Sequence, residues 1–378
     1  MKIIVANTVI GKPGNIGLRY SKIIKRNEEL SGDIIYHYCR YSLDNSKGCL
    51  GLGVFGRVPR ILNAIRIYVF KNFNHRKWDV LWFEAMFLMR MLPFLFKNCD
   101  KGIGNTAIIN EPSILIIKIL KRYGFKIIYD FPIAPFSYAD EFVKEYGVGH
   151  GIRPNVYISN REKLCYPLVD EFIVPSQFVY DEIFDYSCGK KIWNIPFGVD
   201  CKETIRTDEK VKNKIIKFYF AGVINKRKGI QNLLEAWGEF DDFCELHLCG
   251  RLFPEIHDII KDNKFKNVFT PGFVNFNEYI SPPGVYVFPS LLEGSSKSIY
   301  EAMNLGLPII CTKESGSIIT HGVDGWLIEK MNSEDIKEKM MSFVIDNSLI
   351  FEMGEKARKN VKLYSWNKYA DEVMGVIN

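Results

Sequence analysis

Two carboxylates, Glu293 and Glu301, bracket a run of small and polar residues, Gly294-Ser295-Ser296-Lys297-Ser298. Ahead of them VYVF (285–288), β-branched and aromatic, has the pattern of a buried strand. Behind them a helical pattern runs from near Ser298 to Gly306 and Pro308, where a helix stops, and Pro308 to Cys311 starts a further strand. Small residues at a helix start leave backbone N–H groups free at the positive end of the helix dipole, a site suited to phosphate. Upstream, the strand-like KFYFAGV (217–223) leads into INKRKG and the helical run IQNLLEAW. Arg227 and Lys228 thus stand at a strand's carboxyl end, where open α/β sheets bind their ligands.

The Glu-x7-Glu pair, followed by Ala302-Met303 and Gly306-Leu307-Pro308, resembles the signature of the retaining GT-B glycosyltransferases of family 4, the glycosyl transferases group 1. The resemblance implies an α/β GT-B fold, two Rossmann-like βαβ domains facing each other across a cleft. It implies metal-independent hexosyl transfer with retention, from a UDP- or GDP-linked sugar to a hydroxyl of a glycan or lipid-linked saccharide. Cell-surface polysaccharide biosynthesis (O-antigen, capsule or exopolysaccharide) is the expected setting, with no metal and no cofactor beyond the nucleotide-sugar co-substrate. Carried over residue by residue, Glu293 and Lys228 are the catalytic positions. Lys228, Arg227 and the N–H groups of Ser296 to Ser298 answer the charge growing on the departing diphosphate; one such donor is typically worth about 3 kcal/mol. Glu293 orients the donor sugar through its hydroxyls and Glu301 binds the ribose. The two glutamates therefore contact one donor along its length, unlike the flanking pair of a hydrolase. Gly222 and Ser295 belong to the same donor-binding turns, and Gly272, Phe273 and Val274 resemble the resting place of the base. Lys297 either adds charge or points to solvent. One departure stands out: the family carries arginine where this chain has Val223, and Arg227 is the available substitute.

Positioning these residues requires two βα domains. Strand-like runs at 2–10, 79–83, 106–110, 126–130, 171–178 (ending in a helix start at Ser176) and 191–200 alternate with helical patterns, as in a parallel sheet flanked by helices. The expected division is a first, acceptor domain over 1–200, a polar linker at 201–214, a donor domain over 215–364, and a last helix over 365–378 crossing back to the first domain. The loop GKPGNIG after the first strand is no P-loop, since no Gly-Lys-Ser/Thr closes it. By resemblance Gly14 and Gly17 face the cleft near donor phosphate and acceptor. Asp130 ends its strand at the carboxyl edge; it is open between facing sugar or acceptor and capping the next turn.

Composition narrows the remaining classes. The 378 residues suffice for two domains of ordinary size. Residues 1–100 carry 16 Lys/Arg against 7 Asp/Glu, a balance of +9 against −3 for the remainder, so the basic excess belongs to the first domain. No zinc finger, RNP-like stretch or basic heptad region accompanies that excess, which argues against nucleic acid. Residues 57–77 and 86–97 mix basic with apolar side chains. They read either as segments lying in an anionic membrane interface or as core-facing helices with a basic outer side. No apolar run reaches bilayer length, and MKIIVANTVIG reads as a first strand, not a signal peptide. The nine cysteines lack any Cys-x-x-Cys, which suits a reducing cytoplasm; the expected location is cytoplasmic, with peripheral contact at the inner membrane face. CELHLCG (244–250) reads as a buried strand and not as a metal cluster. The alternatives are a GT-B nucleotide-sugar epimerase or glycogen-synthase-like polymerase, and a catalytically inactive sugar-nucleotide-binding subunit. A dinucleotide oxidoreductase lacks the G-x-G-x-x-G after either first strand.

Overall fold

The computed structural model describes residues 1–12, 16–30, 32–43, 48–52, 75–99, 104–200, 215–263, 265–280 and 284–378. The linker 201–214, Gly14 and most of 57–77 lie outside them. The chain divides into two compact units. The first holds Met1–Asp140, Pro154–Ile195 and Trp366–Asn378; the second holds Glu141–Arg153 and Pro196–Ser365. The first unit thus stops before residue 200, and an excursion at 141–153 leaves it for the second.

The first unit contains β1 (Lys2–Ile10), β2 (Ile35–Ser42), β3 (Thr106–Ile109), β4 (Lys126–Asp130), β5 (Glu171–Val174) and β6 (Ile192–Asn194). They form one sheet in the order β2-β1-β3-β4-β5-β6, every pairing parallel. The second unit contains β7 (Ile216–Ala221), β8 (Cys244–Cys249), β9 (Val268–Gly272), β10 (Gly284–Phe288), β11 (Ile309–Thr312) and β12 (Gly325–Ile328). Their order is β12-β11-β10-β7-β8-β9, again parallel throughout. Central strands such as β10 are buried at every position, as expected where helices cover both faces. Helices supply the cover with apolar stripes: Ile230, Leu233, Leu234 and Trp237 of the helix Ile230–Trp237 all face the core. The terminal helix Trp366–Ile377 packs against the helix Gly17–Glu29, where Arg26 Nε meets Asp371 at 2.9 Å.

One expected strand is a helix. Residues 79–83 fall inside the 24-residue helix His75–Asn98. Val80, Phe83, Phe87, Met91 and Leu95 are buried at spacings of three and four, a helical period that the five-residue run DVLWF is too short to reveal. Among the described residues no helix is long and apolar enough to cross a membrane. β2 and β12, both sheet edges, had no counterpart in the sequence reading.

Candidate functional site

The strand order places the donor-site candidates. From β7 the chain moves outward through β8 and β9, then returns to the other side of β7 for β10, β11 and β12. The reversal between β7 and β10 is a topological switch point, where doubly wound sheets open a crevice at the carboxyl ends of the strands. The two loops that leave those ends are 222–229 and 289–296.

The first loop is shaped by Asn225 and Gly229. The Asn225 side chain accepts from the Lys228 N–H at 3.2 Å, closing a 3-10 turn over Lys226–Lys228. Gly229 then takes φ 68°, and a Cβ there would fall 1.9 Å from the Pro289 carbonyl oxygen, so only glycine allows the two loops to meet. The Leu291 N–H donates to the Arg227 carbonyl at 2.9 Å across the same seam. From its other side the second loop is held by the turn after β11. Glu293 N–H donates to the Glu314 carbonyl at 2.9 Å and Ser296 N–H to the Ser315 carbonyl at 3.1 Å. The Ser315 hydroxyl donates to the Phe288 carbonyl at 2.9 Å.

This framework brings Arg227, Lys228 and Glu293 together. Glu293 Oε1 accepts from Arg227 at 2.9 Å, from the Lys228 ammonium, and from the Ser290 hydroxyl at 3.2 Å. Arg227 also donates to the Leu292 carbonyl at 2.6 Å. Lys228 is only 8 % exposed and its Nζ lies 4.7 Å from the centre of the Phe288 ring. Burial pushes its ammonium below the ordinary lysine value, while Glu293 pulls the other way. One carboxylate oxygen therefore serves two cations, and the local balance favours a second anion.

The helix Lys297–Asn304 opens beside this cluster. Ser296 provides no side-chain cap, its hydroxyl being paired with Ser298 at 3.1 Å, and Ser295 is paired with Tyr300 at 2.8 Å. Among the described residues no protein acceptor meets the N–H groups of Lys297 and Ser298. These are the donors that a helix start offers to an anion. Glu301, one turn further on, is half-buried and pairs with Lys297 at 2.8 Å.

Other candidates lie apart from this cluster. Gly222 follows β7 with its N–H on the Cys249 carbonyl at 2.9 Å, and Val223, where the resemblance leads one to expect an arginine, is 37 % exposed. Gly272 closes β9, followed by an exposed Phe273 and a half-buried Val274. In the first unit Gly17 is pressed against β1, where a Cβ would fall 2.0 Å from the Val9 carbonyl oxygen. Asp130 is 2 % exposed, both its oxygens engaged by Arg19 (3.1 and 2.6 Å) and one also by the Tyr20 hydroxyl. It is the partner of a buried arginine 111 positions away, which no local pattern could announce.

Sequence reasoning also missed Glu314 and Lys330. Glu314 supplies the carbonyl that fixes Glu293, and its side chain lies 3.5 Å from Lys330 Nζ. Burial pushes its carboxyl up, against the pull of Lys330. Lys330 also lies over the rings of Phe142 and Tyr146, in or beside the 141–153 excursion.

Comparison with known proteins places this geometry. Residues 202–360 match the family model described as glycosyl transferases group 1. An uncharacterized glycosyltransferase of Methanocaldococcus jannaschii is 28 % identical over 192 residues, 45 % of this chain and 54 % of the relative. The capsular polysaccharide biosynthesis glycosyltransferase CapM of Staphylococcus aureus is 26 % identical over 190 residues, 47 % and 48 % respectively. The chain thus spans about half the length of these relatives. Sucrose-phosphate synthase from Thermosynechococcus elongatus superposes with a TM-score of 0.73 at 14 % identity, covering 100 % of this chain and 98 % of that one. Anabaena HepE, solved in complex with UDP and glucose, gives 0.64 at 14 %, covering 100 % and 99 %. Residues 202–360 are thus similar to the glycosyl transferases group 1, and the two parallel six-stranded sheets have the GT-B fold.

Proposed function

We propose that the protein is a retaining, metal-independent glycosyltransferase. It moves a hexosyl group from a nucleotide-diphosphate sugar to a hydroxyl of a glycan or lipid-linked saccharide during cell-surface polysaccharide biosynthesis. One observation carries the reading. Two cations share a single carboxylate at the switch point, beside a helix start where the N–H groups of Lys297 and Ser298 have no protein acceptor among the described residues. CapM, which acts in capsule biosynthesis, and HepE, solved with UDP, support the setting and the donor class.

In this reading the diphosphate of a UDP- or GDP-sugar lies against Lys228, Arg227 and the N–H groups of Lys297 and Ser298. Arg227 replaces the charge absent at Val223. Glu293, held rigidly by Glu314 and Ser290, orients the sugar hydroxyls; Glu301 takes the ribose. The bond from C1 to the β-phosphate oxygen breaks as that from C1 to the acceptor oxygen forms on the same face. The acceptor's proton passes to the departing phosphate oxygen. Fixed donors in a low-dielectric pocket stabilise that oxygen without reorganising, which is the main source of rate. The base rests near Gly272–Val274.

The test is to incubate the protein with UDP- and GDP-sugars and lipid-linked or oligosaccharide acceptors in excess chelator, and to read products by mass spectrometry. A glycosylated acceptor of unchanged anomeric configuration, lost in Glu293→Ala, is expected. An isomerised free donor, or donor binding without turnover, would replace the reading with an epimerase or an inactive subunit.

We further propose peripheral contact with an anionic membrane. On the helix His75–Asn98, Trp78, Met89 and Phe96 are exposed at spacings of eleven and seven, one stripe of the helix, beside the exposed Arg90 and Lys97. Co-sedimentation with phosphatidylglycerol vesicles, reversed by salt and weakened in Phe96→Ser, is expected; equal recovery with and without vesicles defeats it.

A further inference from the structure

In the first unit, β2 and residues 48–52 gather three side chains that donor chemistry does not use. His37 of β2 pairs in parallel with Cys49 at the sheet edge. Its N–H donates to the Gly48 carbonyl at 2.9 Å, and the Leu50 N–H donates to the His37 carbonyl at 2.9 Å; the Leu52 N–H donates to the Cys39 carbonyl at 3.0 Å. His37 and Cys39, two apart on one strand, share a face, and a side chain paired directly opposite shares it too. The imidazole and both sulfurs therefore converge, all three ligand atoms lying within 4.8 Å of one another. His37 and Cys39 are wholly buried and Cys49 reaches the surface. Gly51 keeps the space beside the sulfurs open: a Cβ there would stand 3.3 Å from Cys49 Sγ and 3.6 Å from Cys39 Sγ. Arg90 anchors the segment, donating to the Gly51 carbonyl at 2.5 Å.

We infer that His37, Cys39 and Cys49 form a binding site for one zinc-like divalent ion, with a fourth, outward position for water. Thiolates and imidazole are the donors that such an ion prefers, at about 2.3 Å for sulfur and about 2.0–2.1 Å for nitrogen. A tetrahedral ion at those lengths sets its ligand atoms roughly 3.3–3.9 Å apart, so small side-chain movements close the site. The His37 Nδ1 lies 3.5 Å from the Ile35 carbonyl, an acceptor suited to holding the ring with Nε2 toward the ion. Two thiolates and a neutral imidazole cancel the charge of a divalent ion, so the loaded site brings no net charge to the buried edge. Loading releases to solvent the protons still held by the ligand side chains. The ion would clip residues 48–52 to β2. The run CELHLCG lacks this geometry. Strand alternation turns Cys244 away from His247 and Cys249, and His247 is already engaged by Tyr279 at 2.8 Å and Glu245 at 3.0 Å.

The test uses the full chain, reduced, stripped by chelator and titrated anaerobically with Co²⁺. One equivalent should bind, giving thiolate-to-cobalt charge-transfer absorption and the intense visible bands of tetrahedral cobalt, all abolished by one equivalent of Zn²⁺. The melting temperature should rise on loading. Cys49→Ser, at the surface and harmless to the core, should weaken binding about 100-fold and reduce the charge-transfer intensity. Cys39→Ala should do the same in a protein whose metal-free circular dichroism is unchanged. No uptake by the reduced protein, bands that survive in Cys49→Ser, or a Cys39–Cys49 disulfide whose reduction restores no metal binding would each overturn the assignment.

Discussion

The carboxyl edges of the two sheets hold similar groups in different proportions. At the end of β4 one arginine meets one carboxylate: Arg19 and Asp130, their side chains each 3 % exposed, are joined by both ends of the fork and closed over by Tyr20. At the ends of β7 and β10 two cations meet one carboxylate; the side chains of Arg227, Lys228 and Glu293 are 28 %, 10 % and 16 % exposed, next to the N–H groups of Lys297 and Ser298, which have no acceptor among the described residues. The first pair is balanced in charge, one guanidinium against one carboxylate. The second cluster is not. Sheet order matches the difference: β7 and β10 flank the second sheet's reversal, whereas β4 does not flank the first sheet's, which lies between β1 and β3. A buried ion pair at a strand end marks a site only when its charges and donors do not balance within the protein.

Removing one member from each edge should break the two in different ways. Asp130→Ala strands a buried guanidinium, and breaking such a pair costs about 3–5 kcal/mol. Urea denaturation should show that loss, and a cost below about 1 kcal/mol would contradict the sealed pair. Lys228→Ala leaves Glu293 with Arg227 and Ser290, so stability should change little. Turnover should fall about 10²–10³-fold, as when one donor to a developing oxyanion is lost. Loss of stability with intact turnover would reverse the roles of the two edges.

Alkaline pH sharpens the contrast. Burial holds Lys228 below its ordinary value, and only its protonated form binds phosphate. Donor affinity should therefore fall as pH rises through that lowered value, before an exposed lysine would titrate. Arg19 behaves oppositely: burial alone would lower it, but Asp130, with the neighbouring tyrosines, holds it above its ordinary value. The group is charged in folded and unfolded chains alike up to strongly alkaline pH, so its contribution to stability should be flat where donor affinity declines. Calorimetric titration with UDP or GDP between neutral and alkaline pH measures the first, and urea midpoints over the same range the second. Lys228→Arg should flatten the affinity profile; a profile that stays steep in that variant assigns the titration elsewhere.

That Arg227, Lys228 and Glu293 belong together was legible because each half of the cluster is local. A strand, a glycine-containing turn and a helix start lie within one βα unit at 217–237 and another at 285–304, and the fold needs only one parallel pairing, β7 with β10, to join them. What stayed illegible depends on long separations or on sheet edges. Asp130 was visible but its partner was not, because Arg19 is a helix residue with no local reason to be buried. Glu314 enters through a backbone carbonyl, which carries no residue signature. β2, IYHYCRYS, alternates aromatic and polar side chains at an edge, and His37 and Cys39 acquire their third neighbour only through the bridge to Cys49. Residues 79–83 show the limit of short windows: their helical period appears only when followed to Leu95.

The smallest effect expected separates the two glutamates from their surroundings. Lys297 and Glu301 form an i,i+4 pair at 2.8 Å whose side chains are 46 % and 35 % exposed. Such pairs contribute only about 0.2–0.5 kcal/mol, less once solvent screening is counted. Lys297→Ala should therefore leave the melting temperature nearly unchanged and alter nucleotide affinity less than about threefold if the N–H groups, and not the ammonium, hold the phosphate. Glu301→Ala removes the same ion pair and should match it in stability. Its donor affinity should nevertheless drop about tenfold, the scale of one lost hydrogen bond to a charged group. Equal affinities in the two variants would mean that Glu301 is no more than a helix-surface partner of Lys297, and the ribose contact would have to come from another residue at this edge.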